Sequence, residues 1–472
     1  MLNILRTKRV LFFYMVLFVG VEEAMSETHL VVKQSGPLHG TVSLSGAKNA
    51  VLVIMTSLIL TDGKSRLTNV PASQDVFYMI ALLKELGASV LFDADLQILD
   101  VDTSTLKNFK VSHEIMQKMR ASILVMGPLL ARFGRAEVAL PGGDAIGARP
   151  IDYHVKNFVK MGVDVQIDGD FLCAKADQLV AAKLVLEYPS VGATENSLMA
   201  AVLTPGVTRI INAALEPEVL DLIAILRKMG AQISILPPAT LEIIGVASLS
   251  PVEHAIMYDR IEAGTLLLAA AITGGSVTIS NARVDHLDIF LDKLQEMGHH
   301  IIIGLEGIGI TLHATAHPRA VSFKTGPFPG FPTDLQAPMM AVQCVAQGTA
   351  VIEETVYENR LIHVRELQKM GAQIKIEHND KAIIVGVEQL YGAYVIASDV
   401  RAASSLVLAG LVAQGVTCMA GIHHLKRGHD KLDKKLESVG AQLEFCTVKP
   451  GEAFDYDALL QYKNSVATPN QI

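Results

Sequence analysis

Tryptophan is absent from this 472-residue chain, and aromatic residues together make up only 5% of it, while hydrophobic residues reach 50%. A core of this chain is therefore built from Ala, Val, Leu and Ile. Cysteine is scarce. Cys173, Cys344, Cys418 and Cys446 lie far apart, each in a run that reads as strand or apolar helix. That excludes a disulfide scaffold and leaves four buried bystander thiols. No zinc spacing, P-loop or dinucleotide fingerprint occurs. Gly304 to Gly309 comes nearest, but it lacks the third glycine and reads as a strand turn. There is no basic block either: 40 Lys and Arg face 48 Asp and Glu, a net charge of −8, which argues against nucleic acid as a partner. Neither a metal nor an organic cofactor is called for.

What the chain does have is a repeat. A helix tail closed by glycine recurs at Gly87, Gly162, Gly230, Gly298, Gly371 and Gly440, at intervals of 75, 68, 68, 73 and 69 residues. A second glycine closes an Ala/Leu-rich run at Gly63, Gly134, Gly206, Gly275, Gly348 and Gly415, at intervals of 71, 72, 69, 73 and 67. Two markers in step over six copies define six units. Each unit reads as hairpin, helix, strand, helix. Paired β-rich runs cover 29–45, 96–111, 171–186, 241–256, 308–323 and 382–396. The first helix of each unit is apolar all round, as in 120–131 and 401–413, and so is expected to be buried on all sides. The second is amphipathic, as in 219–229. An α/β chain (α+β in some schemes) of βαβαββ-type units follows, with helices inside and sheets outside. Its length suits two domains of three units each.

The first residues need separate treatment. Arg6, Lys8 and Arg9 precede an apolar run from Val10 to Val21, too short to span a bilayer as a helix. Glu22 and Glu23 make a poor cleavage site before Ala24. The first unit starts near His29, so residues 1–25 read as an extension, with Met25 the expected start and no stable membrane insertion. A polar tail follows the sixth unit at 447–472.

Charged residues return to two places in the unit. Fourteen residues before the second set of glycines stand Asn49, Arg120, Gly192, Ile261, Asp334 and Arg401, with Lys48 and Arg260 one step earlier. The second helices begin near Asp75, Arg149, Glu218, Asp285, Arg360 and Arg427. Acids there are ordinary helix caps. Arginines are not, because the helix dipole disfavours a cation at that end. Six of them (Arg120, Arg149, Arg260, Arg360, Arg401 and Arg427) imply a shared anion offsetting the conflict, and hence a polyanionic small substrate in a cationic cleft. A loop with three glycines and two prolines, Leu140 to Pro150, presents Asp144 beside Arg149 in the manner of an active-site lid.

Seven segments carry a family resemblance: Ser45-Gly-Ala-Lys-Asn-Ala50, Met119-Arg-Ala-Ser122, Pro141-Gly-Gly-Asp-Ala-Ile-Gly-Ala-Arg-Pro-Ile-Asp152, Ser190-Val-Gly-Ala-Thr-Glu-Asn196, Phe331-Pro-Thr-Asp-Leu-Gln336, Glu358-Asn-Arg360 and Ser398-Asp-Val-Arg-Ala402. With them the chain resembles the UDP-N-acetylglucosamine 1-carboxyvinyltransferases, from about residue 28 to about residue 445. The resemblance implies a two-domain inside-out α/β barrel, its domains at 48–257 and at 26–47 plus 258–446. It implies transfer of the enolpyruvyl group of phosphoenolpyruvate to the 3′-hydroxyl of UDP-N-acetylglucosamine, through a tetrahedral ketal, in the cytoplasm and without a cofactor.

By the same resemblance Asp334 is the base at the 3′-hydroxyl. Lys48, Arg120, Arg149, Arg401 and Arg427 bind phosphoenolpyruvate and the diphosphate, with Arg360 in the adjoining motif, and Asn49 positions the reactants. Arg149, Pro150, Ile151, Asp152 and Tyr153, then Ser190, Val191 and Gly192, and Val356 hold the uridine nucleotide. Tyr188 stands where many relatives carry Lys. Asp144 stands where most carry a Cys that protonates the methylene carbon, which implies insensitivity to the epoxide fosfomycin. At pH 7 about 0.1% of an ordinary Asp is protonated, against most of an ordinary Cys, so an acid-shifted optimum is expected. A 5-enolpyruvylshikimate-3-phosphate synthase-like enzyme and a silent UDP-sugar-binding paralogue are the alternatives.

Overall fold

The computed structural model describes residues 27–148 and 150–448. The extension 1–25, Arg149 and most of the tail lie outside the described residues. The last strand, Gln442–Val448, runs two residues into the segment read as tail. No helix among the described residues is long and apolar enough to cross a membrane.

Among the described residues the architecture is mixed α/β, with six four-stranded sheets of one design. In one of them Lys110–Val111 pairs in parallel with Arg135–Ala139. Phe171–Lys175 lies antiparallel to that strand, and Asp164–Asp168 antiparallel to Phe171–Lys175. The tight hairpin turns at Gly169-Asp170, where Gly169 has φ 58° as such a turn requires.

This pattern corrects the sequence reading of the hairpins. None of the six paired runs pairs with itself. In each, the first strand finishes one sheet and the second opens another: Glu27–Lys33 pairs with 416–419 and 442–448, whereas His39–Val42 pairs with 276–279. Alternating apolar residues suit either pairing, and the turn decides. Two residues separate the strands at 168–171, but seven separate Asp102 from Lys110, enough to cross to the next sheet.

All six glycines of the first marker have positive φ, from 85° to 111°. They end the amphipathic helices in the left-handed conformation that side chains resist. Five of the second set do likewise; in the fourth unit the task falls to Gly274 (φ 72°) rather than Gly275. The apolar helices are buried as expected. Every described residue of Val400–Val412 but the last is buried, and Arg260–Thr273, Gln336–Gln343 and Val400–Val412 pack on one another. Close helix approach at Gly127 needs glycine, since a Cβ there would stand 2.2 Å from the Asn196 carbonyl oxygen.

The apolar core is divided. One cluster draws on residues between 47 and 256, the other on 30–44 together with 261–441. The chain passes between them at 45–48 and 257–259, and these two segments hydrogen-bond to each other. Ala47 N–H donates to the Met257 carbonyl at 2.7 Å, and Asp259 N–H to that of Ser45 at 3.0 Å. Lys48 follows this crossing immediately and takes its position from it. Of the thiols, Cys344 and Cys418 are buried, but Cys173 and Cys446 are half-exposed, contrary to the bystander reading for all four.

Candidate active site

Helix Lys48–Ser57 starts at the crossing; its cap residue Ala47 offers no side-chain acceptor, and Asp259 Oδ2 accepts from Lys48 N–H at 3.3 Å instead. The rest of the site gathers around that start. Asp334 lies in the turn before helix Gln336–Gln343. Its Oδ1 accepts from Arg360 Nη2 at 2.7 Å and its Oδ2 from Arg401 Nη2 at 2.6 Å, with Asn49 Nδ2 at 3.4 Å. Burial works against its charge, but Arg401 and Arg360, by charge and hydrogen bond, hold the carboxyl well below the usual range. Arg401 keeps its Nη1 buried and without a hydrogen-bond partner among the described residues. Asp399 caps that helix, accepting from the amides of Arg401 and Ala402 at 2.9 and 3.1 Å.

On the other side of Lys48 lies a second group. Buried Asp75 bridges Lys48 Nζ at 2.8 Å and Arg427 Nε at 2.9 Å. Arg427 Nη1 reaches Asp144 Oδ1 at 2.6 Å, and His424 Nδ1 stands 3.6 Å from the same oxygen. Burial favours the neutral form of Asp144. The His424 contact and the charges of Arg427 and Lys48 outweigh it and hold the carboxyl well below its ordinary value. The 141–148 loop rests against the opposite half: Asn359 N–H donates to the Ile146 carbonyl at 3.0 Å, and a Cβ at Gly147 would stand 2.1 Å from Glu358 Oε2.

These contacts change three sequence expectations. The acids at helix starts are counterions more than caps. Asp75 serves Lys48 and Arg427, and Glu218 grips Arg260 through two hydrogen bonds of 3.0 and 3.2 Å. Arg260 thus has its anion from within the chain, both partners being buried. Arg427 does not begin a helix; it sits in the last turn of His423–Gly428, where the dipole favours a cation. Arg360 lies in the turn ahead of Val364–Lys369 rather than on it. Arg120, Arg260 and Arg401 do stand at helix starts.

Flanking this centre, Arg120 Nη2 donates to the Pro150 carbonyl at 3.3 Å, and Ile151 and Asp152 open helix Asp152–Lys160, with half-buried Tyr153 on its first turn. Ser190 caps the helix Val191–Ala201, its Oγ accepting from Ala193 N–H at 3.4 Å. His154 lies beneath Gly192, and its pKa falls to about 4, through burial first and Arg120 second. Tyr188 is pushed up to about 12 by burial and then by Tyr357 and Glu216. Val356 N–H donates to Glu354 Oε1 at 2.8 Å. The repeat marks Asp75 and Glu218 through acids standing where sister units carry arginine, whereas no spacing in the sequence marks His424.

Glu195, on the same helix as Gly192, is 4% exposed. Burial, then Glu218 and Glu216, push its pKa well above 4.5. The folded protein therefore binds that proton more tightly than the unfolded chain, and stability falls as pH rises from about 4.5. Glu195→Gln should raise the Tm at pH 8 by about 2–4 °C, and by less at pH 5. Thermal denaturation at both values checks this, and an equal gain at both would refute it.

A family model described as EPSP synthase (3-phosphoshikimate 1-carboxyvinyltransferase) matches residues 32–436. Among solved structures, the enolpyruvyl transferase NikO from Streptomyces tendae superposes with a TM-score of 0.81 at 24% identity, over 90% of this chain and all of that one. EPSP synthase from Acinetobacter baumannii gives 0.68 at 16% identity, over 89% of this chain and all of that one. The fold is that of the enolpyruvyl transferases. UDP-N-acetylglucosamine 1-carboxyvinyltransferase 1 of Caldanaerobacter subterraneus subsp. tengcongensis is 48% identical over 417 residues, 88% of this chain and 99% of its own. The enzyme of Geobacter metallireducens is 46% identical over 415 residues, 88% and 98% respectively. The chain belongs to the UDP-N-acetylglucosamine 1-carboxyvinyltransferase family and is an enzyme of that kind.

Proposed function

We propose that this enzyme transfers the enolpyruvyl group of phosphoenolpyruvate to the 3′-hydroxyl of UDP-N-acetylglucosamine, releasing phosphate, as the first committed step of cytoplasmic peptidoglycan synthesis. The observation that carries the reading is the cluster of Asn49, Arg360 and Arg401 around Asp334, beside the start of the helix that carries Lys48, with Arg401 Nη1 lacking a partner among the described residues. Such a site accepts a small polyanion beside a carboxylate base.

In the forward direction Asp334 takes the hydroxyl proton as the sugar oxygen attacks C2 of phosphoenolpyruvate, and Asp144 gives a proton to C3. Loss of the C3 proton then expels phosphate. Lys48, Arg120, Arg149, Arg401 and Arg427 bind the phosphoryl and carboxylate charge, with Arg360 steering Asp334. Pro150, Ile151, Asp152, Tyr153, Tyr188, Ser190, Val191, Gly192 and Val356 line the nucleotide. The substrate anion competes with Asp144 and Asp334 for the arginines that keep them ionised. Its arrival raises both pKa values toward working range. Asp144 cannot be alkylated as a thiol is, so the enzyme is insensitive to fosfomycin.

The reading includes two three-unit domains, 48–257 and 26–47 plus 258–446, each an inside-out barrel with its helices within. It is supported by strand Glu253–Ala255, which pairs back onto Lys64–Thr68 of the first unit, and by strand Glu27–Lys33, which lies between the last two strands of the sixth. The test is phosphate release from phosphoenolpyruvate with either UDP-N-acetylglucosamine or shikimate 3-phosphate. Release with the nucleotide sugar alone is expected. Release with shikimate 3-phosphate, or nucleotide-sugar binding without turnover at any pH, would overturn it.

A further inference from the structure

Asp144 must receive a proton before it can give one, and three neighbours oppose that: the His424 contact, Arg427 and Lys48. Arg427 Nη1 holds it at 2.6 Å and Lys48 adds a second positive charge. One group nearby can carry a proton to it. His424 Nδ1 is buried, has no hydrogen-bond partner among the described residues, and stands 3.6 Å from Asp144 Oδ1, so an approach of less than about 1 Å makes the bond. The His424 ring lies against that of His423 with centroids 4.1 Å apart, which limits its freedom to swing away. Both His424 and Arg427 ride on the helix His423–Gly428, so the proton carrier and the competing cation share one element.

We propose that His424 is a proton-positioning residue of the transfer reaction, supplying Asp144 with the proton it delivers to substrate carbon once an anion draws Arg427 away. The inference rests on the proposed transfer reaction. Its steps balance. The Nδ1–H bond of the imidazolium breaks as the Asp144 O–H forms, and that O–H breaks as the new C3–H bond forms. On elimination the C3 proton returns to the carboxylate and thence to His424. The other charged groups around the pair are His423 and Arg427 on its own helix, Lys48 on its helix, and Asp75 on helix Gln74–Glu85, with Arg401 on Val400–Val412 packed behind. The His423 pKa is lowered by burial first, then by His424 and Arg427.

The experiment measures kcat by phosphate release from about pH 5 to 9 for the wild type, His424→Gln, Asp144→Cys and the double variant. At pH 7 His424→Gln should lower kcat at least about tenfold in the wild-type background. In the Asp144→Cys background the loss should be under about threefold, because a thiol of ordinary pKa carries its own proton there. Free imidazole should restore part of the activity of His424→Ala, which also serves if the Gln variant fails to fold. Equal losses in both backgrounds, no loss in the wild type, or no rescue would overturn the proposal. A wild type that releases no phosphate would instead sink the transfer reading itself, and this inference with it.

Discussion

Asp334→Asn is expected to lower kcat by about 10²–10⁴-fold, the usual contribution of a positioned base, with nucleotide-sugar binding retained. The substitution preserves shape, keeps an acceptor for only one of Arg360 and Arg401 while turning an NH2 toward the other, and removes the charge that both arginines neutralise. Those guanidiniums then face the substrate anion without a competitor, so the KM for phosphoenolpyruvate should fall while kcat collapses. A fall in both parameters is the signature of removed ground-state opposition combined with lost chemistry. Steady-state phosphate release, with calorimetry of nucleotide-sugar binding, separates the two. A kcat within tenfold of wild type would remove Asp334 from the role of base.

The second large effect concerns residue 144. The wild type should retain full activity after prolonged incubation with fosfomycin, whereas Asp144→Cys should lose it progressively and gain the mass of one inhibitor molecule. The pH profiles should part in the same experiment. Arg427 and Lys48 keep the Asp144 carboxyl ionised, so its protonated fraction drops tenfold for each unit of pH above its pKa. Wild-type kcat should fall accordingly on the alkaline side of an acid optimum, while the Cys variant stays flat to about pH 8.5. A flat wild-type profile would sink this account. Stability has the opposite sign. A depressed pKa contributes stability above the unfolded value that is lost as pH falls toward the folded one. Conditions that load Asp144 with a proton therefore also weaken its 2.6 Å tie to Arg427, and with it the seat of the 141–148 loop.

The sequence shows the repeat because each helix ends at a left-handed glycine, a constraint no other residue meets cheaply, and all six of one set have positive φ. It misleads on strand pairing because alternation marks a buried face without naming the neighbour. Asn49, Asp334 and Arg401 are legible as one constellation, since they hold sister positions in the repeat, and Arg360 joins them from the second set. The counterions were not. Whether Glu218 caps its helix or binds Arg260 depends on which helix start faces it across the interior, and local spacing does not encode that. Arg427 was misplaced on its helix because the sixth unit breaks its second helix into His423–Gly428 and Leu432–Ser438, with Lys431 at φ 54° between them.

Among the described residues, strand Glu27–Lys33 finds its neighbours only in 416–419 and 442–448. During synthesis on the ribosome that strand leaves early and its partners last, so it waits with both edges open while nearly all the rest of the chain emerges. Sheets formed from residues between 64 and 255 suffer no such delay. The polypeptide is thus made in an order that lets one core assemble while the other is held open, and the waiting strand is the point most exposed to mispairing and to chaperones.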